Sequence, residues 1–220
     1  MFFKSFFTKE QDYKRLEIEI DAENPLQNYI DTLKSCKALT LKGELEWGGI
    51  KLIRQLRNLS LLDLSGIKKV RKLQSSSLPH DTLTEMRKIK EITIPELVPV
   101  DSLAITKCPL LEKIIIPQGV ALVNPGMVYD CGKFTQFIVE EGNAHFFSVE
   151  GVILSKDGKK LISVPCGIKG TYTVPDSVNE ILDGSFFGCT FLEQVVCDDE
   201  KVKIGEKAFR YVNVKVVKQN

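Results

Sequence analysis

The sequence predicts an α+β repeat fold. Short strands build a curved, mostly parallel β-sheet on one face of a solenoid, short helical or 3-10 turns line the other, and one β-hairpin is inserted. Three observations lead there. A pattern of apolar slots returns at intervals near 23 residues, as Val100, Ile105, Cys108, Leu111, then Val123, Val128, Cys131, Phe134, and again Ile181, Phe186, Cys189, Leu192. Runs of β-branched and apolar residues follow the pattern, such as Ile114-Ile115-Ile116. Pro95, Pro117 and Pro175 each stand directly after the last apolar residue of such a run, where a missing N–H ends ladder pairing. A unit of this size buries its apolar face only by stacking on its neighbours.

The elements follow in chain order. Leu16-Glu17-Ile18-Glu19-Ile20 alternates strictly and reads as a half-buried strand. Asn24-Pro25 reads as an N-cap and first helical residue, with Leu26, Tyr29, Ile30 and Leu33 at helical spacing, so a helix is expected over residues 25–35. Strand and helix together form an N-terminal cap over residues 1–38, which a solenoid needs because its terminal unit has an unpaired apolar face. The solenoid occupies residues 39–220.

Its strand cores fall at Leu39–Leu41, Leu61–Leu64, Ile92–Ile94, Ile114–Ile116, Phe137–Val139, Tyr172–Val174 and Val195–Cys197, with a last strand near Val214–Val217. From Leu64 to Ile94 and from Val139 to Val174 the interval is too long for one unit, so each holds an insertion. The first, around Lys68–Ser77, is basic and then serine-rich and reads as a loop. In the second, Asp157-Gly158 between two apolar-rich runs signals a β-hairpin projecting at residues 151–165. The Ile181–Phe186 and Ile204–Phe209 spacings suit a helical or 3-10 turn.

Composition bounds the function. The chain has 220 residues, 43% of them apolar, with 30 Lys and Arg against 29 Asp and Glu. A net charge of +1 gives no electrostatic case for nucleic acid or an anionic membrane, and no segment has the length of a membrane-spanning helix. The opening Met1-Phe2-Phe3-Lys4-Ser5-Phe6-Phe7 is too short and interrupted for a signal-peptide core, so no export signal is visible and two readings stay open, an intracellular protein or one whose targeting segment lies upstream of Met1. Cys36, Cys108, Cys131 and Cys189 read as occupants of one slot shared with Leu56, Met86 and Val212. A slot that accepts Leu, Met, Val and Cys is a core position, and buried free Cys behaves as a compact hydrophobe. Metal or disulfide chemistry is the weaker reading, since there is no CxxC and the two histidines lie elsewhere.

The C-terminal half carries a resemblance. Val174-Pro175-Asp176-Ser177-Val178-Asn179-Glu180-Ile181, followed by Gly184-Ser185-Phe186-Phe187-Gly188-Cys189-Thr190-Phe191-Leu192, resembles the unit of the BspA-like leucine-rich-repeat family. Ile204-Gly205-Glu206-Lys207-Ala208-Phe209 repeats it, and Ser148 through Pro165 resembles a hairpin often inserted in such proteins. The resemblance covers roughly residues 36–217 and implies a leucine-rich-repeat solenoid, bacterial, secreted or displayed at the cell surface, and tied to adhesion. It brings no catalytic residues and no cofactor. Met86, Ile105 and Val128 replace the family's usual Cys or Phe, which predicts distorted turns in those units.

No constellation for catalysis emerges. His80 follows a proline in an apparent loop and His145 sits at the hairpin entry, neither beside a nucleophile elbow, so no catalytic residue, metal ligand or cofactor site is assigned. Asp198-Asp199-Glu200 reads as a solvated acidic turn and Lys68-Lys69 with Arg71-Lys72 as a solvated insertion. The strand faces say more. With Ile92, Ile94, Ile114, Ile116, Phe137, Val139, Val195 and Cys197 pointing inward, the residues between them point out: Asp63, Thr93, Ile115, Ile138 and Val196. An exposed apolar row marks a surface for a protein or glycan partner; the alternative is structural, one segment of a larger cell-surface array or a homodimer formed through the same row, though β-branched residues also simply suit exposed strands.

Overall fold

A computed structural model describes residues 4–6, 15–71, 77–198 and 200–218. In chain order its strands are β1 Lys4–Phe6, β2 Arg15–Ile20, β3 Ala38–Glu46, β4 Leu61–Arg71, β5 Leu83–Thr84, β6 Glu91–Thr93, β7 Ile105–Thr106, β8 Lys113–Ile116 and β9 Val128–Tyr129. Then follow β10 Gln136–Val139, β11 Phe146–Val149, β12 Val152–Ser155, β13 Lys160–Ser163, β14 Gly170–Thr173, β15 Glu180–Ile181, β16 Leu192–Cys197, β17 Lys203–Ile204 and β18 Lys215–Lys218. A 3-10 turn at Leu26–Tyr29 runs into α1 Ile30–Leu33, and α2 spans Trp47–Gln55.

The chain winds as a β-solenoid. A seven-stranded sheet, in the order β1-β2-β3-β4-β6-β8-β10, is parallel except at β1. Between its strands the chain crosses to the other face, where β5, β7 and β9 form a small parallel sheet. Beyond β10 the pattern resumes as β14-β16-β18 on one face and β13-β15-β17 on the other. One continuous core runs between them, with Leu39, Leu62, Ile92, Ile114 and Phe137 stacked coil upon coil and each at 2% exposure or less. Each side chain of this kind stabilises the fold by about 1.5–3 kcal/mol relative to its exposure.

Every strand core expected from the sequence is present within a residue or two, and the strand at Leu16–Ile20 is β2. The units with Met86, Ile105 and Val128 are regular: Met86 accepts the same i→i+3 backbone bond from Ile89 that Cys108 accepts from Leu111, and Ile105 and Val128 pair in register. The expected turns at Ile181–Phe186 divide in two. Ile181 belongs to β15, and the following segment closes by i→i+3 bonds, Ser185 N–H to Leu182 O, Phe187 N–H to Gly184 O and Cys189 N–H to Phe186 O, which is 3-10 geometry.

Five further expectations are corrected. Asn24 does not cap the helix; Pro25 is its extended N-cap residue, Asp21 Oδ1 binds the N–H groups of Glu23 and Asn24, and the 25–35 segment splits into the 3-10 turn and α1. Lys68–Arg71 is not loop but the end of β4, which the long partner strand β3 extends by pairing Glu44 to Lys69 and Glu46 to Arg71; residues 72–76 lie outside the described residues. The hairpin does not project. β12 and β13 form an antiparallel pair, β11 joins on the other side, and β13 pairs in parallel with β15, so the insertion is part of the solenoid wall. Its turn is wider than Asp-Gly alone: Gly158 N–H bonds Ser155 O and only Gly158 has a positive φ, +70°.

The fourth correction concerns the cysteines. Cys36 N–H bonds Leu33 O as Leu59 bonds Leu56, Leu111 bonds Cys108 and Phe134 bonds Cys131. Cys36 is therefore equivalent to Leu59, and Leu33 holds the shared slot in that coil. The fifth is Val196, which lies on β16 in a different sheet from Asp63, Thr93, Ile115 and Ile138. Cys166, unassigned from sequence, takes a place beside Cys131, its Sγ 3.6 Å from Cys131 O, while Cys189 Sγ lies 3.6 Å from Val164 O. All six thiols are buried and free, as core packing requires. Burial pushes Cys166 up to about 11 and Cys189 well above the ordinary thiol value. The hydrogen bond with the Cys108 thiol, followed by burial, holds Cys131 protonated.

The helix α2 has no counterpart in the sequence reading. Ile50 and Ile53 are fully buried one turn apart and Leu52 beside them, so α2 lays an apolar stripe on the core where later coils carry β5, β7 and β9. Gly48-Gly49 hides it, because paired glycines read as a break. Gly49 packs closely: a Cβ there would lie 2.9 Å from Leu45 Cδ1, the end of a side chain that would have to turn aside.

Candidate functional site

The seven-stranded sheet brings four of the five expected outward residues into one row. Register pairs Thr40 with Asp63, Asp63 with Thr93, Thr93 with Ile115 and Ile115 with Ile138. The row runs across the sheet at the strand spacing of about 4.8 Å. Val196 is not in it. It lies in the separate sheet β14-β16-β18, flanked by Thr173 and Val217. The hairpin insertion causes this break, by placing β11 and β12 beside β10.

The row is graded. Asp63 is held by its own strand: its Oδ1 accepts from Ser65 N–H at 2.9 Å and from Ser65 Oγ at 2.7 Å, and Thr40 Oγ1 approaches Oδ2 at 3.5 Å. Thr93 is only 9% exposed, whereas Ile138 is 39% exposed and Ile115 is half-buried. Ion pairs frame the row: Lys42 Nζ to Glu17 Oε1 at 2.6 Å, Arg71 to Glu44 at 3.2 Å, and Lys113 Nζ to Glu91 Oε2 at 2.7 Å. The Glu17 carboxylate raises the Lys42 ammonium above its ordinary value. These exposed pairs contribute little stability each but make the faces of β2, β3 and β4 polar, leaving the apolar part at Ile115 and Ile138.

Beyond β10 the tight turn between β11 and β12 continues the surface. Gly151 O accepts from Phe137 N–H at 2.9 Å, and Ser148 Oγ accepts from Val139 N–H at 3.0 Å, so Val149 and Glu150 sit next in line after Ile138. Val149 is 42% exposed. Its place in the row is not legible in the sequence, because the residue that borders β10 is set by where the hairpin docks, which no local pattern encodes. Gly151 is needed there: its φ is +82° and a Cβ would meet Thr135 O at 2.5 Å.

A second cluster was also missed. Tyr129, Phe187 and Tyr211 come from three different units and meet with ring centroids 5.4–6.3 Å apart, with Arg210 stacked on Tyr211 at 4.9 Å. The Phe186-Phe187 pair was the available signal: once Phe186 fills the core slot, its neighbour must point away.

Neither histidine lies in a catalytic arrangement. His80 is exposed with Nδ1 2.9 Å from Asp81, and His145 is exposed, its backbone N–H bound to Asn143 Oδ1 at 2.8 Å. Among the described residues no group of His, Cys, Asp and Glu is placed to hold a metal ion, and no helix is long and apolar enough to cross a membrane.

Comparison with known proteins gives a consistent result. The BspA-type leucine-rich-repeat region matches residues 64–148 and 166–219 in six copies. The interruption falls within the hairpin insertion. Among solved structures, the pneumococcal vaccine antigen PcpA superposes with a TM-score of 0.50 at 18% identity, covering 83% of this chain and 45% of that one. A leucine-rich cell-surface protein from Faecalibacterium prausnitzii gives 0.48 at 16%, covering 84% and 55%. A leucine-rich-repeat protein from Eubacterium ventriosum gives 0.43 at 15%, covering 93% and 68%. At these identities the likeness is one of fold, and the chain spans about half the length of the first two. No curated protein matches it.

Proposed function

Because the chain belongs to the BspA-type leucine-rich-repeat family, a repeat type that binds or builds rather than catalyses, we propose that it is a non-enzymatic recognition module of a bacterial surface. Its partner, a protein or glycan, docks on the outward face of the long sheet, centred on Ile115 and Ile138. The observation that carries this reading is the row itself: two adjacent apolar side chains in register, continued by Val149, next to charged strands. An apolar centre with a polar rim is the anatomy of a protein interface. The described part of the 1–38 segment, β2 with the 3-10 turn and α1, serves in this reading as a cap on the N-terminal end of the core. Surface display is supported by the description of the Faecalibacterium protein as a cell-surface protein.

The test is the double substitution Ile115→Glu and Ile138→Glu, screened beside the parent chain on glycan arrays and extracellular host proteins. Both side chains lie on the outward face, so the fold is retained while ligands of the parent are lost. A folded double variant that keeps every ligand refutes the site. Sedimentation of both chains over a range of concentrations identifies a homodimer through the same row, which the double variant would abolish.

A further inference from the structure

A second surface lies at the corner from which β4 and β6 set out, and it has the opposite character. An open cleft of about 1060 Å³ is lined by the end of α2 and the two turns that follow, with Arg54, Arg57, Arg87 and Lys88 around it and Glu85 as its only carboxylate. All four cations are exposed. Among the described residues Arg54, Arg57 and Arg87 have no ion-pair partner, and Lys88 reaches only the neutral Asn58 Oδ1 at 3.3 Å. Lys42, Lys90 and Lys113, by contrast, are each matched by a carboxylate.

The placement is set by the repeat. Leu39 pairs with Leu62 and Leu62 with Ile92, and counting back five residues from each puts Lys34, Arg57 and Arg87 at equivalent positions of successive coils. Asp31 neutralises Lys34 at 2.7 Å, so the unmatched charge is that of Arg57 and Arg87, on coils stacked at about 4.8 Å, with Arg54 and Lys88 beside them. In a chain of net charge +1, a cleft with four cations and one anion is a local concentration of charge.

We propose that this cleft binds a linear sulfated polysaccharide. Guanidinium groups take sulfate and carboxylate oxygens through paired N–H bonds, and cations on successive coils match a polymer bearing anions along its length. Single-stranded nucleic acid is disfavoured because no aromatic side chain lines the cleft to stack a base. This site is independent of the apolar row on the sheet, and either can fail without the other.

The experiment uses the whole chain at physiological salt with dextran sulfate, uncharged dextran of equal length, and a single-stranded oligonucleotide as probes, followed by calorimetry. Three variants are compared: Arg54→Ser/Arg57→Ser/Arg87→Ser/Lys88→Ser, a control with equal charge change at Lys107, Lys133, Lys156 and Lys159, and Arg54→Lys/Arg57→Lys/Arg87→Lys. Dextran sulfate binds the parent and the control alike, and the cleft variant loses on the order of a hundredfold in affinity. The arginine-to-lysine chain falls between, because charge is kept and the paired bonds are lost. Equal loss in the control, retention in the cleft variant, no dextran sulfate binding by the parent, or tighter binding of the oligonucleotide than of dextran sulfate each overturns the proposal.

Discussion

Asn143 is the polar residue on which the hairpin docking depends. Its side chain is 1% exposed and all four of its hydrogen-bonding positions are used. Nδ2 donates to Pro117 O at 3.1 Å and Val120 O at 2.9 Å, and Oδ1 accepts from His145 N–H at 2.8 Å and Phe146 N–H at 2.9 Å. It thus ties the start of β11 to the turn after β8, one coil away. In Asn143→Ala, Pro117 O keeps the N–H of Val120 at 3.2 Å, and His145 is exposed enough to recruit water. Val120 O and Phe146 N–H are left buried without partners. At about 1–3 kcal/mol for each orphaned group, the loss is about 2–6 kcal/mol. Urea unfolding followed by circular dichroism measures it, and amide exchange should show the protection lost first at Phe146 and its β11 neighbours. Asn143→Asp keeps both acceptor bonds but turns a carboxylate oxygen towards two carbonyls. That raises its folded-state pKa, so the variant's stability is highest in acid and falls as pH rises through that value. An Ala variant within about 1 kcal/mol of the parent, or an Asp variant without such a pH dependence, would refute this account.

Two further outcomes follow from packing. Gly167→Ala should destabilise by more than about 2 kcal/mol, because a Cβ there lies 2.6 Å from Phe134 O and 2.8 Å from its N. Gly170→Ala, with φ +69° but open space around it, should cost only about 1 kcal/mol in the same urea titration, and equal losses would contradict the contact argument. Native protein should react with a thiol-reactive disulfide reagent at none of its six cysteines, all buried, and at all six once unfolded. Rapid reaction of any thiol in the folded chain would show that the cysteine ladder is open to solvent.

Much of this molecule was written in short-range pattern. The slots Cys108, Cys131 and Cys189, the strand cores from Leu39 to Val217 and the outward set Asp63, Thr93, Ile115 and Ile138 are each legible, because a solenoid coil contacts mainly its neighbours and every unit must satisfy the same burial rule. Alternation along a strand then assigns faces without knowledge of the rest of the chain.

What the tertiary structure decided lies where coils depart from the repeat. Val196 left the row because the strands after β10 belong to an insertion, and whether that insertion projects or joins the wall depends on β13 finding β15. Cys36 moved one slot because only the pairing of β3 with β4 fixes which residue of the first coil faces which of the second. The basic cleft needed Arg54 and Arg57 brought beside Arg87 and Lys88, some thirty residues away. The sequence by itself determined the repeat, its core and its strand faces, all of them consequences of local periodicity. Register across the irregular coils, and with it the surfaces that a partner meets, came only from long-range pairing.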